Sequence, residues 1–187
     1  MTRVVVFAGS ARQGSLNRQL ARLGAEAVSA AGGSATLIEL GDFPMPIYHG
    51  DLETADGVPP KAVELGRLLL QHEAVLIASP ENNASVSSLL KNTIDWLSRI
   101  REFDPLVGKV AALMAASPGG FGGVRGLYHL RAILNTLNVE VIAQQFVLPR
   151  ASQAFGADGE FADPRQAQQL AKLAQRLLTV AALNVKQ

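Results

Sequence analysis

The chain has 187 residues, of which 48% are hydrophobic and 18% charged, so it contains enough apolar material for a sizeable core. Seventeen basic and sixteen acidic side chains leave a net charge of +1, which disfavours nucleic acid or a membrane surface as a partner because both need a concentrated basic face. The absence of cysteine excludes disulfides, thiolate metal sites and cysteine nucleophiles.

The N-terminal apolar run does not have the features of a targeting or membrane segment. Residues 4–8 are apolar, but Gly9 and Ser10 end the run and Arg12 follows directly. This run is too short for the core of a signal peptide and far too short to span a bilayer. We therefore expect a cytoplasmic protein with no membrane partner.

Apolar runs typical of buried strands alternate with segments of helical periodicity along the chain. Strands are predicted over residues 3–8, 35–40, 73–78, 109–116 and 139–148. Helices are predicted from Leu16 to the stop at Gly32, and over 61–71, 86–101, 124–137 and 165–182, with an irregular segment over 41–60. This alternation predicts an α/β fold, a flavodoxin-like three-layer sandwich around a five-stranded parallel sheet in the order 2-1-3-4-5. No repeat or composition break divides the chain, so one domain is expected over residues 1–187.

The segment after the first predicted strand has the composition of an anion site. Ser10, Arg12, Ser15 and Asn17 surround the start of a helix, where free backbone N–H groups carry partial positive charge. A tight turn in which Ser15 or Asn17 only caps the helix is the alternative. A P-loop would need lysine after Gly14, and a dinucleotide fingerprint would need glycine at position 11. The segment therefore favours a single terminal phosphate, as on a mononucleotide.

Two further loops follow neighbouring strands of the predicted sheet. Residues 80–83 follow the third strand, with Ser85 expected to cap a helix that begins at Val86, and residues 117–123 follow the fourth strand. Because ligands bind at the carboxyl ends of parallel strands, these loops are expected to lie beside the anion site. Their free backbone groups could contact the edge of a flat polar ring. A flexible connector is the alternative for 117–123.

Taken together and in this order, the motifs resemble those of the NADPH-dependent FMN reductase family of flavodoxin-like proteins. The resembling stretches are residues 9–17, 80–85, 90–96 and 122–131. One departure stands out, since Asn82 occupies a position where the family usually has tyrosine.

The resemblance implies an enzyme that passes hydride from NAD(P)H through bound FMN to a small acceptor such as a quinone, an azo compound or free flavin. The redox chemistry would belong to FMN, so no catalytic side chain is required. A homodimer or homotetramer is also implied. The residues implied to bind FMN are Ser10, Arg12, Ser15, Leu16 and Asn17 around the phosphate, and Pro80, Glu81, Asn82, Asn83, Ser85, Ser117 and Gly119 around the ribityl chain and ring.

Other functions receive less support from the sequence. An FMN-binding electron carrier or interaction module is the main alternative, but carriers of this type are strongly acidic and sandwich the ring between aromatics, whereas this chain is near neutral and has only Phe121 in the ring-lining loops. His49, His72 and His129 lack metal-ligand spacing, so no metal is expected. A hydrolase triad built on Ser117 would need a histidine after its acid, and none follows His129.

The predicted helix over 86–101 has two further features. Lys91, Asp95 and Arg99 recur at four-residue steps, which predicts a ladder of ion pairs on a solvated face. Trp96 lies on another side of the helix and is expected in the core or at a subunit contact.

Overall fold

The computed structural model of this protein describes residues 1–184. Its strands are β1 (Arg3–Ala8), β2 (Ser34–Glu39), β3 (Ala74–Ala78), β4 (Val110–Ala116) and β5 (Glu140–Leu148). Its α-helices are α1 (Leu16–Ala30), α2 (Gly50–Asp56), α3 (Pro60–Leu70), α4 (Ser88–Leu97), α5 (Val124–Thr136) and α6 (Pro164–Asn184). All neighbouring strands are parallel, and their order in the sheet is β2-β1-β3-β4-β5.

Two apolar layers enclose the sheet. Helices α1 and α6 cover one face, while α3, α4 and α5 cover the other. Every residue of β3 and β4 is buried, which explains why these strands read as continuous apolar runs rather than as alternating patterns. Leu76 and Leu113 are fully buried on opposite faces. The predicted fold class and strand order are confirmed.

The largest error in the predicted helices concerns α4. The expected cap, Ser85, is wrong: α4 begins at Ser88, and Ser87 caps it. The Ser87 hydroxyl accepts a hydrogen bond from the Leu90 backbone N–H at 3.2 Å and donates one to the Gly9 carbonyl at 2.6 Å. Ser87 can therefore satisfy the helix end and bind the end of β1 together, which Ser85 cannot do from the preceding turn. The helix also ends at Leu97, short of the predicted residue 101.

The segment 41–60, predicted to be irregular, contains the short helix α2. Before α2, a strap formed by residues 44–49 crosses α4 and is fastened to it. The Pro46 carbonyl accepts hydrogen bonds from the Asn92 amide at 2.9 Å and the Trp96 indole at 2.7 Å. The Tyr48 backbone N–H donates to Asn92 Oδ1 at 2.8 Å. The apolar Ile47 between these attachment points is 85% exposed.

The strap also explains where the predicted ion-pair ladder fails. Lys91 pairs with Asp95 at 2.7 Å as expected, but Arg99 turns away and pairs with Glu53 of α2 at 3.0 Å. The hydrogen bonds from Arg99 and from the Tyr48 hydroxyl lower the pKa of Glu53. Trp96, expected either in the core or at a subunit contact, is fully buried within the chain.

None of the helices within residues 1–184 is both long and apolar enough to cross a bilayer. The single-domain organisation over residues 1–187 stays a prediction, and its last three residues lie outside the described part of the chain.

Candidate functional site

A cleft of about 700 Å³ opens at the carboxyl edge of the sheet, where β1, β3 and β4 end. This volume lies within the range of small-molecule and cofactor sites. Nine of the predicted site residues line the cleft: Ser10, Arg12, Ser15, Leu16, Asn17, Pro80, Glu81, Asn82 and Ser117.

The start of α1 provides unpaired hydrogen-bond donors at one end of the cleft. The Ser15 side chain caps the helix by accepting a hydrogen bond from the Arg18 backbone N–H at 3.4 Å. The next two backbone N–H groups, of Leu16 and Asn17, are left without intrahelical partners, as at any helix start. The Arg12 guanidinium forms no ion pair or hydrogen bond within residues 1–184. Free N–H groups, the helix dipole and an unpaired cation together suit an anion.

The Asn17 side chain has a structural task in this arrangement. Its Oδ1 accepts a hydrogen bond from the Ala116 N–H at 2.9 Å, and its Nδ2 donates one to the Ala116 carbonyl at 2.8 Å. Both residues are buried. The amide therefore fixes the start of α1 against the end of β4, and what Asn17 retains for a ligand is its backbone N–H and one amide hydrogen.

Close packing at Gly9 joins the first loop to the second. A Cβ at this position would lie 3.0 Å from Leu90 Cβ and 3.2 Å from Pro80 Cδ, closer than side chains normally approach. The Gly9 N–H donates to the Ala78 carbonyl at 2.9 Å, which continues the pairing of β1 with β3. The absence of a side chain at Gly9 thus lets the two loops form adjoining walls of one cleft.

Residues 82–85 form a tight hairpin turn at the other end of the cleft. Asn82 and Ser85 exchange two backbone hydrogen bonds of 2.9 Å. Asn83 and Ala84 between them have φ of 50° and 62°, in the left-handed region. For alanine this conformation costs about 1–2 kcal/mol, and such strain is concentrated at ligand sites. The backbone N–H groups of Asn83 and Ala84 have no hydrogen-bond partner in residues 1–184, but of the four turn residues only Asn82 lines the cleft.

Helix α5 holds this turn in place through Glu81. The Glu81 carboxylate accepts hydrogen bonds from the backbone N–H groups of Arg125 at 3.0 Å and Gly126 at 3.3 Å, and from Arg125 Nε at 2.8 Å. Its side chain is only 8% exposed. Burial alone would raise the pKa of Glu81, but the hydrogen bonds from Arg125 and Gly126 outweigh it, and the pKa lies below its ordinary value. A second contact joins Ser85 Oγ to His129 Nδ1 at 2.9 Å.

Comparison with known proteins identifies the family. Residues 2–153 match the family model described as NADPH-dependent FMN reductase. The chain belongs to this family. The match spans the strands and loops that line the cleft, so it confirms the family assigned from the motifs and the expected class of FMN-dependent NAD(P)H oxidoreductase.

Relatives of known name agree with this membership. The chain is 38% identical to a quinone reductase of Escherichia coli K12 over 139 residues, which cover 74% of this chain and 72% of that protein. It is 36% identical to an NAD(P)H-dependent FMN reductase of Pseudomonas aeruginosa over 165 residues, 87% of this chain and 86% of that protein. Among solved structures, a flavoenzyme NAD(P)H:(acceptor) oxidoreductase from Paracoccus denitrificans superposes with a TM-score of 0.82 at 25% identity, covering 98% of this chain and 99% of that one.

The geometry of this FMN reductase family member fits its cofactor. Unpaired N–H groups and the Arg12 guanidinium suit a phosphate at the start of α1, and Asn82, the residue of the turn over 82–85 that lines this cleft, offers a polar side chain to a ring edge. The cleft between them is large enough for the remaining part of a mononucleotide. FMN itself supplies the redox chemistry, so the protein has to bind and orient it.

The remaining predicted residues lie elsewhere. Asn83 and Ser85 line a second cleft, which shares Asn82 with the first. Gly119 lines neither cleft, and its backbone N–H donates to Ser117 Oγ at 3.2 Å.

Several lining residues were missed at the sequence level: Ser87, Ser88, Leu89, Ala116 and Pro118. Ser87 could have been found as one of three candidate helix caps, since serines occupy positions 85, 87 and 88. The other missed residues have ordinary side chains and carry no such signal.

Proposed function

We propose that this chain binds FMN in the cleft and uses it to catalyse NAD(P)H-dependent reduction of a small acceptor, with a quinone as the preferred class. The observation that carries the proposal is the anion site at the start of α1, where the unpaired backbone N–H groups of Leu16 and Asn17 and the Arg12 guanidinium share a cleft of the size of a cofactor site. Family membership and relatives named as quinone reductases support the same chemistry.

FMN, when bound, supplies two-electron hydride chemistry, by which NAD(P)H and a proton reduce a quinone to a hydroquinone and leave NAD(P)⁺. The residues of the chain bind FMN and orient it. The backbone N–H groups of Leu16 and Asn17, with the Arg12 guanidinium, hold the phosphate. Asn82, the residue of the turn over 82–85 that lines the cleft, would contact the polar edge of the ring, and Glu81 fixes that turn to α5.

The lining of the cleft favours an enzyme over an electron carrier. None of the residues that line it within the described chain is aromatic. Phe121, in the neighbouring loop, is exposed and lies under the Arg125 guanidinium at 5.0 Å. A ring face that protein aromatics do not cover remains open to exchange with small substrates.

The test begins with the protein freed of flavin and titrated with FMN, followed by flavin fluorescence. We expect saturable binding and then steady NADPH consumption when a benzoquinone is added to the FMN-loaded protein. Failure to bind FMN would overturn the proposal. Tight FMN binding without NADPH consumption by any quinone, azo dye or free flavin would favour the electron carrier or interaction module instead.

The expected homodimer or homotetramer and the cytoplasmic location are further proposals, supported by the family resemblance and by the composition. Sedimentation of the FMN-loaded protein tests the first, since a monomer at all concentrations would contradict it.

A further inference from the structure

A small cavity of about 210 Å³ opens at the amino edge of the sheet, opposite the FMN cleft. It lies beside the residues that precede β3 and β4, next to the last turn of α6. Its lining consists of Leu70, His72, Glu73, Gly108, Lys109, Ala181 and Asn184. None of these residues lines the cleft at the carboxyl edge, so the two sites are separate.

Lys109 is the lysine of this cavity, and its amine has few partners. Its Nζ donates one hydrogen bond, to the His72 carbonyl at 2.6 Å. Within residues 1–184 it forms no ion pair with any carboxylate, although the side chain is partly buried. An ammonium group has three hydrogens to donate, so this one is incompletely satisfied and faces the cavity.

The polar neighbours of Lys109 are engaged in other contacts. The Glu73 carboxylate accepts hydrogen bonds from the Arg3 backbone N–H at 2.6 Å and from Arg3 Nε at 3.1 Å. Both ring nitrogens of His72 are hydrogen-bonded, each at 2.8 Å. The Asn184 amide donates to a backbone carbonyl at 2.9 Å. The cavity is therefore poorly suited to holding a free anion, and Lys109 is left as an amine without a counter-charge.

The environment of Lys109 favours its neutral form. Burial lowers the pKa of the Lys109 amine, the Glu73 carboxylate works against this shift, and the Arg3 guanidinium adds to it. His72 is the third titratable neighbour, while Ala181 and Asn184 of α6 carry no charge. Because the neutral amine is the nucleophile, a larger fraction of Lys109 is reactive near neutral pH than of an exposed lysine.

We propose that Lys109 is a modification site, at which a small acyl phosphate acylates the side-chain amine. The neutral Nζ attacks the carbonyl carbon, and a C–N bond forms while the C–O bond to the phosphate breaks. Phosphate leaves with the electron pair of that bond, and the amine proton passes to water. The cavity is smaller than a cofactor site and suits a donor of this size. The amide product retains one N–H, which can still donate to the His72 carbonyl.

The first test maps the reaction on the FMN-loaded full chain. The protein is incubated with acetyl phosphate, and the initial rate of acetylation at each lysine is followed by peptide mass spectrometry. Lys109 is expected to react several times faster than Lys61 and Lys91, which are paired with carboxylates at 2.8 and 2.7 Å, and than Lys172. Lys172 is the matched control, because it is exposed on α6 and forms no ion pair within residues 1–184. If Lys172 reacts as fast as Lys109, exposure governs the reaction and the proposal is wrong.

The second test measures the acetylation rate against pH in the same samples. The rate at Lys109 should reach half of its plateau at a lower pH than the rate at Lys172, because the Lys109 amine loses its proton earlier. Equal midpoints would show that the cavity does not activate the amine, and would overturn the proposal.

Two variants separate an electrostatic effect from a structural one. Glu73→Gln removes the charge that favours the ammonium form and should speed acetylation of Lys109, whereas Arg3→Gln removes the charge that disfavours it and should slow the reaction. Both variants break the same ion pair, so a merely structural effect would change the two rates in the same direction, which would contradict the proposal. The rate at Lys172 should stay constant in both variants. The mapping on the wild type needs neither variant to fold.

Discussion

The side-chain amide of Asn17 and the backbone of Ala116 form a closed pair of hydrogen bonds, 2.8 and 2.9 Å long, across 99 positions of sequence. The amide satisfies both backbone polar groups of Ala116, a buried residue at the end of β4. It also sets the start of α1, whose free N–H groups face the anion site. The Asn17 side chain therefore contributes both to the stability of the sheet edge and to the geometry of the cleft.

Replacing this amide should destabilise the fold. Asn17→Ala leaves the buried N–H and carbonyl of Ala116 without partners, so we expect a loss of about 2–4 kcal/mol in the free energy of unfolding. Urea unfolding of the flavin-free protein measures this loss of stability. The matched control is Asn135→Ala, since Asn135 is exposed on α5, and it should change stability little. Equal stability of the two variants would contradict the structural role of Asn17.

The unpaired cation of the anion site should contribute to cofactor affinity. Arg12→Ala is expected to weaken FMN binding by about 1.5–3 kcal/mol, the range for a hydrogen bond to a charged group, without changing the melting temperature of the flavin-free protein. Quenching of flavin fluorescence on titration measures the affinity. Arg176→Ala provides the control, because Arg176 is exposed on α6 away from the cleft. Unchanged affinity for FMN would remove Arg12 from the phosphate site.

The strained turn offers a test in the stabilising direction. Ala84 has φ of 62°, so Ala84→Gly relieves a steric conflict and should raise the free energy of unfolding by about 0.5–1 kcal/mol. The same exchange at Ala132, in the interior of α5, should lower it by about 1 kcal/mol. Chemical denaturation of the three proteins side by side gives both values. A destabilised Ala84→Gly variant would show that the methyl group makes contacts outweighing the strain.

The buried carboxylate of Glu81 should make stability sensitive to acid. Its pKa in the fold lies below the ordinary value, so its contribution to stability is present above the unfolded pKa of about 4.3 and is lost as pH falls through the folded value. The stability advantage of the wild type over Glu81→Gln should therefore shrink as the pH falls below about 5, from the unfolded pKa down towards the lower folded one. Denaturation at a series of pH values measures this difference.

A variant of Arg125, the partner of Glu81, tests whether their interaction causes the acid sensitivity. Arg125→Gln should remove part of the same dependence of stability on pH. The free energy of unfolding of the double variant should depend on pH as much as that of Glu81→Gln alone, because both changes remove the same interaction. Additive effects would mean that the two residues act through different partners.

The sheet could be predicted from sequence because its signal is strong and local. β3 and β4 are buried on both sides, so their residues form unbroken apolar runs whose parallel pairing follows from the helices between them. The location of the site could be predicted for a related reason. Ligand-binding loops in such sheets come directly after strands, so the segments containing Arg12 and Pro80 could be assigned to one edge.

The details that could not be predicted depend on contacts distant in sequence. Three serines near the start of α4 are equivalent as caps by local pattern, and Ser87 is selected by the Gly9 carbonyl, 78 positions away. Likewise, Arg99 pairs with Glu53 because the strap brings α2 beside α4. Asn92 belongs to residues 90–96, one of the stretches by which the chain resembles the family, and its side chain fastens the strap. No periodicity in the sequence encodes these choices.

The strap has one practical consequence. Trp96 is the only tryptophan of the chain, and its indole N–H is hydrogen-bonded to the strap at Pro46. If the strap lifts, that indole gains contact with water, and its emission should shift to longer wavelength. The native protein thus contains a built-in optical reporter of whether residues 44–49 are seated on α4, readable without any added label.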